Sequence, residues 1–255
     1  LAEMLGIHRW ENGNLELNVV PRSADESPHW GRFKVIRERR DQDRIPTPLT
    51  VMKYGSDKTG DVEAYAWSWV LVAMLNAYQD TQPAVWAATE SLGRPAQQFN
   101  RGVYRSLADQ WQLIRARWRM ATLELDYGFD WSRQKIDLGN DEPVWNGQPV
   151  RLDVRADRGW QTIGFRIPAG RRVRLSATGR VMLADKPRSW ISESPGVTIR
   201  YHGGRPLGRL LGCLLPHAID RGDRIAKPEV FDIGESTTGD ITRPSWLLVR
   251  VNAAP

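Results

Sequence analysis

The sequence contains few of the features that restrict a chain chemically or place it in a membrane. A single cysteine, Cys213, excludes an internal disulfide, and its apolar neighbours predict a buried core thiol rather than a nucleophile. No apolar run approaches the roughly 18 residues of a membrane-spanning helix, so no membrane span is expected. Residues 1–10 lack the basic and then apolar segments of a signal peptide and an initiator methionine, so a fragment or processed product is expected.

Histidine is also scarce, which limits metal and acid–base chemistry. The four histidines are His8, His29, His202 and His217. No two have the i, i+4 spacing that lets one helix supply two zinc ligands, and no Ser-His-Asp or Cys-His arrangement follows from the spacing. Glu124 and Asp130 could be paired carboxylates, but acids near a helix end are more often solvated or paired with arginine. No catalytic residue, metal or other cofactor is therefore predicted in this chain.

Positive charge is concentrated in the second part of the chain. Residues 1–150 hold 18 Lys+Arg and 20 Asp+Glu, a net charge of −2, whereas residues 151–255 hold 18 and 10, a net charge of +8. A basic segment is typical of proteins that bind nucleic acid, anionic lipid or acidic polysaccharide, and the alternative is that its arginines lie on solvated strand faces. Nucleic acid is the less favoured partner, because the sequence has no glycine-rich phosphate loop, Lys/Arg-rich helix or RNA-binding aromatic motif.

The hydrophobic period changes midway through the chain and predicts an α+β protein. Asp61–Tyr78 is apolar almost all round and begins with a capping aspartate, so it predicts a buried central helix. Residues 99–127 continue the helical period, and short alternating segments divided by Gly and Pro follow. These patterns predict a mainly helical lobe over 1–136, a linker over 137–150 and an all-β sandwich or jelly roll over 151–255.

Within the β region, residues 190–212 predict two short strands joined by a turn. Val197–Tyr201 alternates and is β-branched, and Leu207–Leu215 is largely apolar. His202–Pro206 lies between them and combines glycines, which permit positive φ, with a proline. The two strands are expected to form an inner ladder of the sandwich.

Four segments of the first half resemble the C-terminal lobe of bacterial gluzincin-like metallopeptidases, the peptidase MA-like group. The segments are Leu1–Leu5, His8–Trp10, Trp30–Arg32 and Tyr65–Trp69. In that family an HExxH helix supplies two zinc ligands and the general base, and a downstream segment supplies the third ligand. The resemblance implies that Glu3 falls on a variable position of this segment, with the ligand position before residue 1. Zinc and an upstream catalytic lobe are thus expected only in a longer parent protein.

The second half resembles a galactose-binding lectin-type β-sandwich, of the bacterial PA-I galactophilic lectin fold. The matching segments are Trp160–Ile163, Ile167–Gly170, Val173–Gly179, Gly208–Leu215, Phe231–Gly234 and Leu247–Asn252. In those lectins the last strand ends in Asn-Asp, and both residues belong to a calcium and sugar site. Here Asn252 matches the Asn but Ala253 stands at the Asp position. Because calcium needs six to eight oxygen ligands, the resemblance implies that the calcium site is absent.

Any sugar would then be held by side chains in or beside turns. The candidate ligand-binding residues are Trp190, Glu193, Tyr201, His202, Arg205 and Asp240. The alternative is that Trp190 and Tyr201 pack in the sandwich and that Glu193 closes a turn or pairs with arginine.

Three functions are therefore kept open. The first is a non-catalytic carbohydrate- or cell-surface-binding module attached to a truncated metallopeptidase-like lobe. The second is a fragment of a secreted zinc metallopeptidase, and the third is polyanion or nucleic-acid binding through the basic half. Both family resemblances imply an extracytoplasmic or secreted protein, with a glycan or polysaccharide as partner.

Overall fold

The computed structural model describes residues 2–26, 30–91, 93–217 and 227–253. The chain forms two compact units, and along the sequence the division falls between Ser132 and Arg133. The first unit is helical, and the second consists of antiparallel strands in several sheets. The predicted α+β architecture, with a helical lobe followed by a β region, is confirmed.

The helices are short except for four of three or more turns. They are α1 (Ala2–Leu5), α2 (Trp30–Asp41), α3 (Pro48–Met52), α4 (Val62–Ala77), α5 (Gln82–Thr89), α6 (Ala96–Ser106), α7 (Trp111–Glu124) and α8 (Trp131–Gln134). Single 3-10 turns lie at Ala24–Glu26, Ser56–Lys58 and Ala108–Gln110. A hairpin of β1 (His8–Glu11) and β2 (Asn14–Leu17) follows α1.

Helix α4 is the centre of the first unit, as its all-round apolar sequence predicted. The Asp61 carboxylate caps it by accepting from the backbone N–H groups of Glu63 at 2.9 Å and Ala64 at 3.3 Å. The helix packs against α1, α2, α3, α5 and α7. Trp67 and Trp69 are fully buried on it, so both of its faces contribute to the core.

The helical region predicted over 99–127 is divided in two. Helix α6 ends at Ser106, and the 3-10 turn at Ala108–Gln110 redirects the chain before α7 begins. Leu107 and Trp118, which lie on either side of this turn, are nevertheless both buried in the core of the first unit.

The second unit contains one four-stranded sheet and three two-stranded ribbons among its described residues. The strands are β3 (Gln161–Ile167), β4 (Arg171–Ser176), β5 (Arg180–Ala184), β6 (Trp190–Glu193), β7 (Val197–His202), β8 (Arg205–Leu207), β9 (Leu210–Pro216), β10 (Glu229–Asp232), β11 (Ser236–Ile241) and β12 (Ser245–Val251). The sheet has the order β10-β9-β12-β3, and the ribbons are β4/β11, β5/β6 and β7/β8.

The core of this unit lies between the sheet and the ribbon β4/β11. Val173 and Ile241 of the ribbon pack against Ile167 and Leu247 of the sheet. Cys213 is fully buried in β9, which confirms the prediction of a core thiol.

The ladder expected between 197–201 and 207–215 is not formed. Strand β7 pairs with β8, whereas β9 pairs with β10 and β12. The chain leaves the β7/β8 ribbon at Gly208, whose φ of +80° and close approach to Ser192 require glycine, since a Cβ would lie 2.2 Å from the Ser192 Oγ. The expectation was wrong because this turn sends the second apolar run into another sheet.

Residues 137–150, for which a linker was predicted, belong to the second unit. The Trp145 N–H donates to the Arg166 carbonyl at 2.9 Å, and the Arg166 N–H donates to the Pro143 carbonyl at 2.9 Å. This segment therefore extends the edge of the sheet beside β3.

Candidate functional site

The β7/β8 hairpin holds three of the six predicted ligand-binding residues. Tyr201 is the register partner of Pro206, and His202 is the register partner of Arg205. Gly203 and Gly204 form the two-residue connection with φ values of +58° and +76°, a conformation that the predicted turn chemistry anticipated. Tyr201 is 60% exposed, so its ring is available to a ligand at the surface.

The strand β7 bulges outward before Tyr201. Val197 pairs with Leu207 and Tyr201 pairs with Pro206, so the three residues between Val197 and Tyr201 have no register partner on β8. Ile199, at the middle of this bulge, is 79% exposed. Bulges re-aim side chains, and this one presents an apolar and an aromatic side chain on one short segment.

Trp190 is linked to this hairpin through Arg200. The Arg200 guanidinium carbon lies 5.4 Å from the centroid of the Trp190 ring, a cation–π contact. Trp190 itself is half-buried in β6, and Arg200 is exposed. The described ion pairs include none for Arg200, so its positive charge faces solvent with the indole beneath it.

The buried side chain of Asn252 holds the β7/β8 hairpin through hydrogen bonds to its backbone. Its side chain is 2% exposed, and its Nδ2 lies 3.1, 2.9 and 2.9 Å from the carbonyl oxygens of His202, Arg205 and Pro206. An amide nitrogen that donates to three backbone carbonyls has a structural role in this chain. Asn252, which the resemblance to lectins was expected to equate with a calcium ligand, thus orders the β7/β8 connection.

Arg205 is anchored rather than free. Its Nε donates to the Asp232 Oδ1 at 2.8 Å, and Arg209 forms a second ion pair with the same carboxylate. Burial alone would raise the pKa of Asp232, but the hydrogen bonds from Arg209 and Arg205 outweigh it and lower the pKa below the usual range. Asp232 therefore stays ionised and ties the hairpin to β10.

The two candidate carboxylates are each paired with an arginine. The Arg180 Nε donates to Glu193 at 3.0 Å across the ribbon β5/β6, and Arg172 binds Asp240 at 2.7 and 2.9 Å across β4/β11. The hydrogen bond from Arg172 lowers the pKa of Asp240. A carboxyl group with a lowered pKa is a poor general acid near neutral pH, so Asp240 is unsuited to that role.

The six candidates thus separate into groups. Tyr201, His202 and Arg205 share one hairpin, and Trp190 joins them through Arg200. Glu193 lies on the opposite face of β6 from Trp190, because the two are three residues apart on a strand. Asp240 belongs to a separate ribbon.

The same stretch of sequence contains several exposed cations for which no ion pair is described. Residues 171–209 contain nine Lys+Arg and two Asp+Glu, a net charge of +7. The ion pairs of the described residues leave several exposed cations in this segment without a carboxylate: Arg171, Arg174, Lys186, Arg188 and Arg200. The predicted basic half is therefore a surface with uncompensated charge.

The metal chemistry of the described residues is limited. No group of three His, Cys, Asp or Glu among them could hold a metal ion. His29 and the side chain of Glu3 lie outside the described part of the chain. Asp130, which was weighed as a paired carboxylate, accepts hydrogen bonds from the N–H and hydroxyl of Ser132 at 2.8 and 2.7 Å and so caps α8.

Sequence reasoning missed an open cleft in the first unit. The cleft has a volume of about 690 Å³, and the strand β1 forms one wall of it. His8 and Trp10, which belong to one of the segments that resemble the metallopeptidase lobe, line it. The sequence feature that could have indicated the cleft is Trp10, an aromatic residue in a short hairpin that turns at Asn12 and Gly13.

No protein-family model, curated protein or solved structure matches the chain. The resemblances to a metallopeptidase lobe and to a lectin sandwich therefore stay predictions. In the described part of the chain, none of the helices combines the length and the apolar character that crossing a bilayer requires.

Proposed function

We propose that the second unit is a non-catalytic module that binds an acidic glycan, one that carries carboxylate or sulfate groups. The observation that carries the proposal is that the bulged strand β7 exposes an aromatic ring, Tyr201, and next to it in the sequence Arg200, for which no ion pair is described. An aromatic face suits the apolar face of a sugar ring, and a guanidinium suits a planar carboxylate or a sulfate.

The hairpin is suited to this role because it is held in place before a ligand arrives. Asn252 fixes three of its carbonyl groups, and Asp232 fixes Arg205. A preorganised site loses less conformational entropy on binding, so a small number of contacts is enough for measurable affinity.

Binding without catalysis is supported by the state of the carboxylates. Asp232 and Asp240 both have a lowered pKa, and each is held by arginine. Glycoside hydrolysis needs one carboxyl group that donates a proton, which usually requires a raised pKa. These two carboxylates are therefore suited to holding arginine side chains rather than to donating a proton to a glycosidic bond.

An acidic glycan is a better fit than nucleic acid. Proteins that bind single strands use several aromatic platforms along a continuous basic groove. The β7/β8 hairpin offers one exposed ring, and the exposed cations of residues 171–209 lie on different strands and in a loop.

The test is isothermal titration with polygalacturonate and heparin, and with dextran as an uncharged polymer. We expect Tyr201→Ala and Arg200→Gln each to weaken binding of an acidic polymer about tenfold, which corresponds to roughly 1.4 kcal/mol. Arg151→Gln is the matched control, because Arg151 is exposed and lies outside residues 171–209.

Two results would overturn the proposal. The first is that the folded protein binds neither acidic polymer. The second is that Arg151→Gln weakens binding as much as Arg200→Gln, since the interaction would then depend on net charge alone. Tighter binding to a single-stranded oligonucleotide than to either polymer would favour nucleic acid instead.

A further inference from the structure

The cleft of the first unit has the dimensions of a small-molecule site. Its volume of about 690 Å³ falls within the roughly 300–1,000 Å³ typical of ligand pockets. Strand β1 forms one wall, and Val19, Pro21, Arg22 and Glu26 contribute to the rest. All of its lining residues belong to the first unit, whereas the β7/β8 hairpin belongs to the second.

An exposed indole lines this cleft. Trp10 is 67% exposed, and its register partner Leu15 on β2 is exposed as well. Tryptophan has a large apolar surface that folding normally buries, as α4 does with Trp67 and Trp69. An indole left at the wall of a cleft is available to stack on a flat apolar face of a ligand.

His8 contributes a defined hydrogen-bonding group beside the indole. Its Nδ1 lies 3.0 Å from the Leu5 carbonyl oxygen. Since a carbonyl only accepts, Nδ1 must carry the proton, and in the neutral ring Nε2 is then an acceptor. The ring orientation and the tautomer are thus both set by the backbone at the end of α1.

The charges of the cleft cancel. Arg9 and Arg22 supply two positive charges, and Glu11 and Glu26 supply two negative charges. Glu26 also accepts a hydrogen bond from the Arg22 backbone N–H at 2.8 Å, which holds the carboxylate at the cleft. Donors and acceptors are both present, but no net charge favours an ionic ligand, in contrast to the surplus of arginine around β7.

We propose that this cleft is a second binding site, specific for a neutral saccharide whose ring stacks on Trp10. A sugar ring has one apolar face and a rim of hydroxyl groups, each of which both donates and accepts hydrogen bonds. The indole meets the face, and the balanced set of His8, arginine and carboxylate groups meets the rim. The site is independent of the acidic-glycan surface and of the function proposed for it.

The experiment is saturation-transfer-difference NMR on the full chain with glucose, galactose, N-acetylglucosamine and their disaccharides. We expect transfer to at least one of them, with the ring protons of one face showing the strongest signal. Trp10→Ala should weaken the affinity at least about tenfold, a loss of roughly 1.4 kcal/mol. Trp10→Phe should retain most of it, because a ring remains.

Trp86→Ala is the matched control. Trp86 is 40% exposed on α5 of the same unit and does not line the cleft. Because both indoles are exposed, neither substitution should shift the melting temperature much, and this measurement shows that the variants are folded. Affinity lost in Trp10→Ala and kept in Trp86→Ala supports the proposal.

Three outcomes would overturn it: no transfer to any neutral saccharide, equal loss in both alanine variants, or loss in Tyr201→Ala but not in Trp10→Ala. Added salt separates the two sites. Binding of a neutral sugar should be insensitive to ionic strength, whereas acidic-glycan binding at the β7 surface should weaken. Salt-sensitive binding at the cleft would therefore contradict a neutral ligand.

Discussion

Removing the Asn252 side chain should release the β7/β8 hairpin from the body of the second unit. The Nδ2 atom carries two hydrogens but lies within 2.9–3.1 Å of three carbonyl oxygens, so one hydrogen is shared. Asn252→Ala removes about two hydrogen bonds in a part-buried to buried setting, and each costs about 1–2 kcal/mol when the poorer solvation of its carbonyl acceptor is included. The total loss is about 2–4 kcal/mol of stability.

The result can be measured locally as well as globally. Urea unfolding should show the loss in the transition of the second unit, and hydrogen exchange at the amides of Arg205 and Leu207 should accelerate about 30- to 1,000-fold. Asn252→Asp should be at least as damaging, because a carboxylate oxygen would then face the carbonyl oxygens.

Asn146→Ala provides the matched control for this prediction. Asn146 is exposed, and its side chain accepts one hydrogen bond from the Gln148 N–H at 3.0 Å, so its loss should cost no more than about 1 kcal/mol. If Asn252→Ala costs as little as Asn146→Ala, and exchange at the amides of Arg205 and Leu207 is unchanged, the hairpin is held by something other than the Asn252 side chain.

Two further predictions concern ion pairs and pH. Asp80→Ala should destabilise the first unit by about 3 kcal/mol in urea titration, because Arg117 is 6% exposed and would lose the carboxylate that it binds at 2.8 Å. Asp157→Ala is the control: it breaks an exposed ion pair with Arg155 and should cost less than about 1 kcal/mol. Burial and the neighbouring Arg166 lower the pKa of His217, so the unfolded chain takes up the proton first and stability should fall as the pH drops below about 6.5. His217→Gln should remove this part of the pH dependence, and an unchanged profile in the variant would refute it.

The sequence predicted those elements whose burial or conformation depends mainly on the residues within the element itself. Helix α4 is an example, since an all-round apolar segment after the capping Asp61 has only one favourable location, the centre of a core. The turn at Gly203 and Gly204 is another, because positive φ at two successive positions favours glycine. The location of Cys213 followed in the same way from the apolar residues around it.

The candidate site could be predicted only in part. Tyr201, His202 and Arg205 were selected because they flank a turn, and the hairpin does bring them together. Which of these side chains form ion pairs could not be predicted, since the partner of Arg205 is Asp232, which lies 27 residues away in the chain. The cleft around Trp10 was missed because the sequence shows that a hairpin is short but not which of its side chains stay uncovered.

The sequence by itself determined which segments are helical, which are extended and where positive charge accumulates, because hydrophobic period, turn residues and formal charge are local properties. Tertiary structure alone decided that β9 leaves this hairpin for the four-stranded sheet, and it is Asn252, some 46 residues beyond Pro206, that holds the hairpin. It also decided which arginines are neutralised and that Arg200 lies over Trp190. The physical reason is that strand pairing, salt-bridge partners and exposure depend on packing between residues far apart in the chain, and no pattern within one segment records them.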